Sequence, residues 1–110
     1  MTTEATYDLP PGSTDEMAAR AAEAAAYLKT LAHEGRLMIL CHLCTGEKSV
    51  GTLEGLLDIR QAAVSQMLAR LREEGLVTAR RDGKTIYYAL AEGPTKQVIG
   101  MLHGLFCGTE

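Results

Sequence analysis

The sequence predicts a mainly α fold, five helices with a small two-stranded β-hairpin, and three observations predict it. Apolar residues recur at three- and four-residue steps through most of the chain. β-Branched and aromatic residues concentrate in only two runs, Val77 to Arg81 and Thr85 to Leu90, and Asp82 and Gly83 lie between them. At 110 residues there is room for one compact domain.

Met1 to Gly12 holds Pro10, Pro11 and Gly12 with little periodicity, and reads as a flexible arm, residues 1–12, ahead of a single domain spanning 13–110. Ser13 followed by Glu16 matches a capping box, and the alanine-dense stretch from Met17 to Leu31 makes a long first helix. Its small side chains would let another helix approach closely, as at a subunit interface, and a solvated helix would tolerate them too. In a second helix, Glu34 to Leu43, the residues Leu37, Met38, Leu40, Cys41 and Cys44 form the expected buried stripe, with Gly46 as terminator.

A short third helix is expected from about Ser49, with Val50, Leu53, Leu56 and Leu57 as its apolar side. Asp58, Ile59 and Arg60 form the turn into a fourth, Gln61 to about Glu74, whose Val64, Leu68 and Leu71 face inward and whose stop is Gly75. In the hairpin that follows, Asp82 and Gly83 suit a tight turn needing positive φ, and Tyr87 and Tyr88 alternate, which predicts one in the core and one exposed. Pro94 opens the last helix, to which Val98, Ile99, Met101, Leu102, Leu105 and Phe106 give an apolar surface.

The net charge of -3 is unevenly spread. Residues 1–59 hold 4 basic and 9 acidic side chains, residues 60–84 hold 6 and 3, and residues 85–110 hold 1 and 2. A basic segment inside an acidic chain still presents a local field to phosphates. No apolar run approaches the roughly 20 residues of a membrane span, and no basic-then-apolar leader opens the chain, so a cytoplasmic protein without membrane contact is expected. Three cysteines, Cys41, Cys44 and Cys107, argue against a structural disulfide framework.

Two short helices, a tight turn and a basic hairpin make a winged helix-turn-helix, five helices with a two-stranded wing, whose second short helix enters a major groove of double-stranded DNA. With Val64, Leu68 and Leu71 turned inward, Gln61, Ala62, Ser65, Gln66 and Ala69 lie outward. Gln pairs in bidentate fashion with adenine, Ser donates or accepts, and an alanine methyl meets that of thymine. Any solvated helix shows a polar face, and the basic wing beside this one is what favours recognition. Arg60, Arg70, Arg72, Arg80, Arg81 and Lys84 are phosphate candidates, with salt bridges to Glu73 or Glu74 the alternative for Arg70 and Arg72.

Through LKTLAHEGRLMIL, AAVSQMLARLREEGLV and RRDGKTIYYAL, the stretch from Leu28 to Leu90 resembles the ArsR-type family of bacterial winged-helix repressors. The resemblance implies a homodimer joined through its first and last helices, bound to an imperfect inverted repeat until an inducer arrives. Many relatives sense metals through an ELCVCDL motif, which here reads EKSVGTL from Glu47 to Leu53, with Ser49 and Gly51 in place of the thiolates. The last helix offers only His103, so neither familiar metal site can be assembled, and no cofactor is expected. Arg60 stands where many relatives carry a serine capping the recognition helix.

HEGRLMILCHL, GEKSV, IRQAAVSQMLARL and RRDGKTIYYAL look most like the sulfide-responsive, persulfide-sensing dithiol branch. That likeness implies that Cys41 and Cys107 are joined by reactive sulfur species, persulfides or polysulfides, through one or more sulfur atoms, and that DNA is then released. Cys41 alone would read as a small buried hydrophobe, and Cys44 has no assigned part. The alternative is a metal- or haem-responsive repressor using Cys41, His42, Cys44, His103 and Cys107, with His42 expected to point away from the Cys41 face. His33, His42 and His103 read otherwise as surface or partner-bonded residues. No phosphate loop and no nucleophile with a supporting base suggests an enzyme.

Overall fold

Among the described residues, 13–106, the computed structural model has five helices and three strands. They run α1 (Ser13–Leu31), α2 (Glu34–Leu43), β1 (Lys48–Ser49), α3 (Val50–Leu57), α4 (Gln61–Glu73), β2 (Val77–Asp82), β3 (Thr85–Leu90) and α5 (Pro94–Phe106). The expected arm, 1–12, and Cys107 lie outside the described residues, and the capping box falls at their edge, since Ser13 is already helical. The chain divides into two units between Thr30 and Leu31.

The first unit is α1. Asp15 and Glu16 in its first turn and Lys29 in its last match the sense of the helix dipole. Met17 and Leu28 are exposed, and the Thr30 hydroxyl donates to the Ala26 carbonyl at 3.4 Å.

The second unit is built on α2, which opens at His33, whose Nδ1 accepts the Arg36 amide at 3.2 Å and acts as the cap. A Cβ at Gly35 would lie 2.7 Å from Met67 Sδ, so the glycine lets α2 lie close on α4. The buried residues of α2 are Ile39, Leu40 and Leu43; of the expected stripe only Leu40 is in the core. LMILCHL is apolar nearly all round, so helical periodicity alone does not choose between two stripes. Leu37, Met38 and Cys41 face α5 across a cavity instead.

Ser49 caps α3 by accepting the Thr52 amide at 3.1 Å. Leu53 and Leu57 are buried, whereas Leu56 is 48% exposed and leaves the expected apolar side. Asp58, at φ 56, turns the chain toward α4. Val64, Leu68 and Leu71 of α4 are each 0% exposed and fix its inner face as expected.

The sheet is antiparallel in the order β1-β3-β2, with Arg80 opposite Tyr87 and Lys48 opposite Tyr88. The expected two-stranded hairpin therefore gains a third strand, which at two residues is too short to show alternation in the sequence. Asp82 pairs with Thr85, leaving Gly83, at φ 67, and Lys84 as the turn. Tyr87 and Tyr88 are both half-buried rather than one in and one out. Both faces of β3 are partly covered: Arg80 lies over the Tyr87 ring, and Tyr88 lines clefts beside α4. Pro94 opens α5 as expected; Ile99 is buried, and Met101, Leu105 and Phe106 face outward.

Candidate nucleic-acid interface and thiol cavity

With three residues of α4 locked into the core, a step of about 100° per residue decides what faces out. Gln61, Ala62, Ser65, Gln66 and Ala69 are all exposed. Arg60 occupies the cap position of α4, and its side chain caps no amide, as a side chain without an acceptor must leave it. The amides at the start of this helix are therefore open to an outside acceptor.

Between α4 and the sheet runs a cleft of 460 Å³. Gln61 and Ser65 line it from α4, Lys84 and Tyr88 from the hairpin, and Ser49 and Gly51 from the start of α3. Sequence reasoning missed Ser49, Gly51 and Tyr88 as members of this group. The spacing of Ser49 and Thr52, that of a helix cap, was the available signal for the first two.

The wing has an internal brace. Arg80 donates from Nε to Glu47 Oε2 at 2.9 Å and from Nη2 to Oε1 at 2.5 Å, a two-pronged pair that ties β2 to the loop before β1. Its guanidinium also sits 4.8 Å from the Tyr87 ring centroid. The Arg80 hydrogen bonds hold the Glu47 carboxyl below its ordinary range and make the guanidinium a still weaker acid. Arg70 pairs with Glu74 one turn on, whereas among the described residues Arg72, Arg81 and Lys84 have no ion-pair partner. All six expected cations are exposed; Arg70 and Arg80 are also engaged in ion pairs, and Arg60, Arg72, Arg81 and Lys84 are in none among the described residues.

Cys41 on α2 and Cys44, the residue that caps its C-terminus, are half-buried thiols that line different cavities. Cys41 faces a cavity of 420 Å³ walled on the α2 side by Leu37 and Met38 and on the α5 side by Leu102 and Phe106, with His42 and His103 completing it. The expectation that His42 points away from Cys41 is corrected: successive helical residues differ by about 100°, and this cavity is wide enough to take in both. Cys44 lies instead in a cleft with Ala89, Leu90 and Lys96. Cys41, His42, Cys44 and His103 are accordingly split over two sites, and among the described residues no group of three or more His, Cys, Asp or Glu side chains is placed to hold a metal ion. No helix among them is long and apolar enough to cross a membrane.

The sequence profile of the bacterial regulatory protein arsR family matches residues 33–79. The chain is 52% identical over 94 residues to the biofilm growth-associated repressor of Agrobacterium fabrum, covering 86% of this chain and 80% of the relative. It also resembles the solved structure of reduced HlyU from Vibrio cholerae, with 44% identity, a TM-score of 0.80, and 84% and 98% of the two chains covered. The crystal structure of the transcriptional repressor BigR from Xylella fastidiosa matches at 46% identity and a TM-score of 0.79, over 86% of this chain and 93% of that one.

Proposed function

Since this chain belongs to the arsR family of bacterial transcriptional regulators, we propose that it is a repressor that binds operator DNA as a homodimer and is released when reactive sulfur species join Cys41 to Cys107. The observation that carries the DNA half is the exposure of Gln61, Ala62, Ser65 and Gln66 over three fully buried leucine and valine side chains, beside a cleft that leads to Lys84. In this reading α4 lies in the major groove, those four side chains meet base edges, and Arg60, Arg81 and Lys84 meet phosphates. Arg80, braced by Glu47, holds the wing at the angle that presents its neighbours.

Dimerisation is supported by the outward apolar side chains Met101, Leu105 and Phe106 of α5 and, on the other unit, Met17 and Leu28. Two copies would set their α4 helices into successive grooves about 34 Å apart.

Support for the sulfur half comes from the cavity, since Phe106, the residue before Cys107 in the chain, lines the same space as Cys41. A Cys41 thiolate attacks the outer sulfur of a hydropersulfide RSSH, forming Cys41–S–SH and expelling RS⁻. The Cys107 thiolate then attacks the inner sulfur, giving a Cys41–S–S–Cys107 bridge and HS⁻; on a longer Cys41–S–S–SH chain, attack on the sulfur next to the terminal one, again expelling HS⁻, retains an extra atom in the bridge. A bridge across α2 and α5 would shift α2, which lies on α4 at the Gly35–Met67 approach, and so move the recognition helix. The test is intact-protein mass spectrometry after treatment with a persulfide donor, with operator binding measured on the same sample. Crosslinked protein that no longer binds, with Cys41→Ser and Cys107→Ser proteins that bind but are not released, is the expected result. Release without the crosslink, or binding lost in the untreated variants, would overturn the proposal.

A further inference from the structure

The cavity beside Cys41 is far larger than a two-sulfur anion requires, and its walls are the wrong chemistry for one. At 420 Å³ it falls in the range of small-molecule sites, which run from about 300 to 1,000 Å³. Leu37, Met38, Leu102 and Phe106 make most of its surface, and among the described residues no Lys, Arg, Asp or Glu lines it. Met38, which is outside the apolar α5 surface assigned to the dimer, is 39% exposed, so the space is reachable from solvent. A carboxylate or ammonium entering it would lose hydration with only the imidazoles of His42 and His103 to replace it, whereas a hydrocarbon body would gain by leaving water.

We propose that this cavity is a binding site for a neutral, apolar carrier of sulfane sulfur, of the dialkyl trisulfide class, held by its hydrocarbon arms with its sulfur chain against Cys41. The inference rests on Cys41 being a sensing thiol and adds which donor reaches it first. In the covalent step the Cys41 thiol gives its proton to solvent and the thiolate attacks an outer sulfur of R–S–S–S–R. The Cys41–S–S–R bond forms, the adjacent sulfur–sulfur bond breaks, and its electron pair leaves as RSS⁻. The cysteine is oxidised and the trisulfide reduced, with no further reactant needed.

The test compares dipropyl trisulfide with glutathione trisulfide, which carries the same three sulfurs on a charged body, on the full chain. Rates of Cys41 modification, read by mass spectrometry, are divided by the rate of each reagent with N-acetylcysteine. The expected ratio favours dipropyl trisulfide at least about tenfold, and Met38→Arg, which sets a cation at an already exposed position, reverses the preference while Met38→Gln leaves it in place. Normalised rates within a factor of about two, or a preference that Met38→Arg does not move, would overturn the proposal. Operator binding in the same samples separates the two claims. A tenfold preference with DNA still bound would sink the release mechanism and keep the site, and equal normalised rates with DNA released would do the reverse.

Discussion

The brace between Glu47 and Arg80 leads to a prediction about salt that can be worked from its geometry. One edge of the Arg80 guanidinium, Nε with Nη2, is taken by the Glu47 carboxylate and Nη1 lies 4.0 Å from Asp82 Oδ2, so the side chain meets DNA with its charge offset, whereas Arg81 and Lys84 keep their full charge. Each phosphate neutralised contributes about 0.9 to the slope of log affinity against log salt, and a homodimer carries each residue twice. Arg81→Gln and Lys84→Gln should therefore each flatten the slope by about 1.8, and Arg80→Gln by less than about 0.5. Glu47→Gln, which frees the guanidinium, should steepen it. Fluorescence anisotropy of a labelled operator fragment between about 50 and 200 mM salt measures all four. The pH dependence follows from the same contact: the folded-state pKa of Glu47 is lowered, so the brace is complete above the ordinary carboxylate range and is lost only as pH falls through the lowered value. Slopes at pH 6 and at pH 8 should agree for this reason, as both lie well above about 4.5. An Arg80→Gln protein that loses as much slope as Arg81→Gln, together with an inert Glu47→Gln, would refute the assignment of Arg80 to the wing's internal support.

Arg60→Ser should stabilise the fold by about 0.5–2 kcal/mol, read by urea denaturation, because a hydroxyl can cap the open amides of α4. The same change should flatten the salt slope by about 1.8, so stability and affinity move in opposite directions. Leu68→Ala removes a fully buried side chain beneath the recognition face and should cost about 2–5 kcal/mol, with DNA affinity at low temperature falling only as far as the folded fraction does. Cys44→Ser should leave persulfide-driven release intact by the operator-binding assay, because Cys44 lines a different cavity from Cys41; loss of release would make the two cysteines one site.

The elements that were legible in the sequence are those specified by contacts within one or two turns. Val64, Leu68 and Leu71 share one face of a helix whose other faces are polar or small, Gly83 can take the positive φ of a two-residue turn, and Pro94 suits the first position of a helix. α2 was misread because its sequence is apolar around most of its circumference, and the choice between Ile39 with Leu43 and Leu37 with Cys41 is made by α3, α4 and α5, none of them local. β1 escaped notice for a similar reason: two residues have no period, and Lys48 and Ser49 are a strand only because Tyr88 and Tyr87 lie opposite them.

The same distinction governs how a run of basic residues should be weighed. Residues 60–84 carry six cations against three acids, and read along the chain all six are candidates for one footprint, with salt bridges the alternative for Arg70 and Arg72. In the fold, Arg70 is turned to Glu74 by helical spacing, which the sequence exposes, and Arg80 to Glu47 by a contact spanning 33 positions, which it does not. What the neutralised Arg80 adds is rigidity: it binds the β2 strand to the loop before β1 and covers Tyr87, so the exposed cations Arg81 and Lys84 sit on a hairpin with one orientation. A phosphate contact gains little from a cation whose position must be fixed at the moment of binding, because that ordering offsets part of the attraction. On this argument a surface ion pair within the wing raises the affinity of charges it never touches, and the local excess of cations is a poorer guide to DNA binding than the acidic partner that removes one of them.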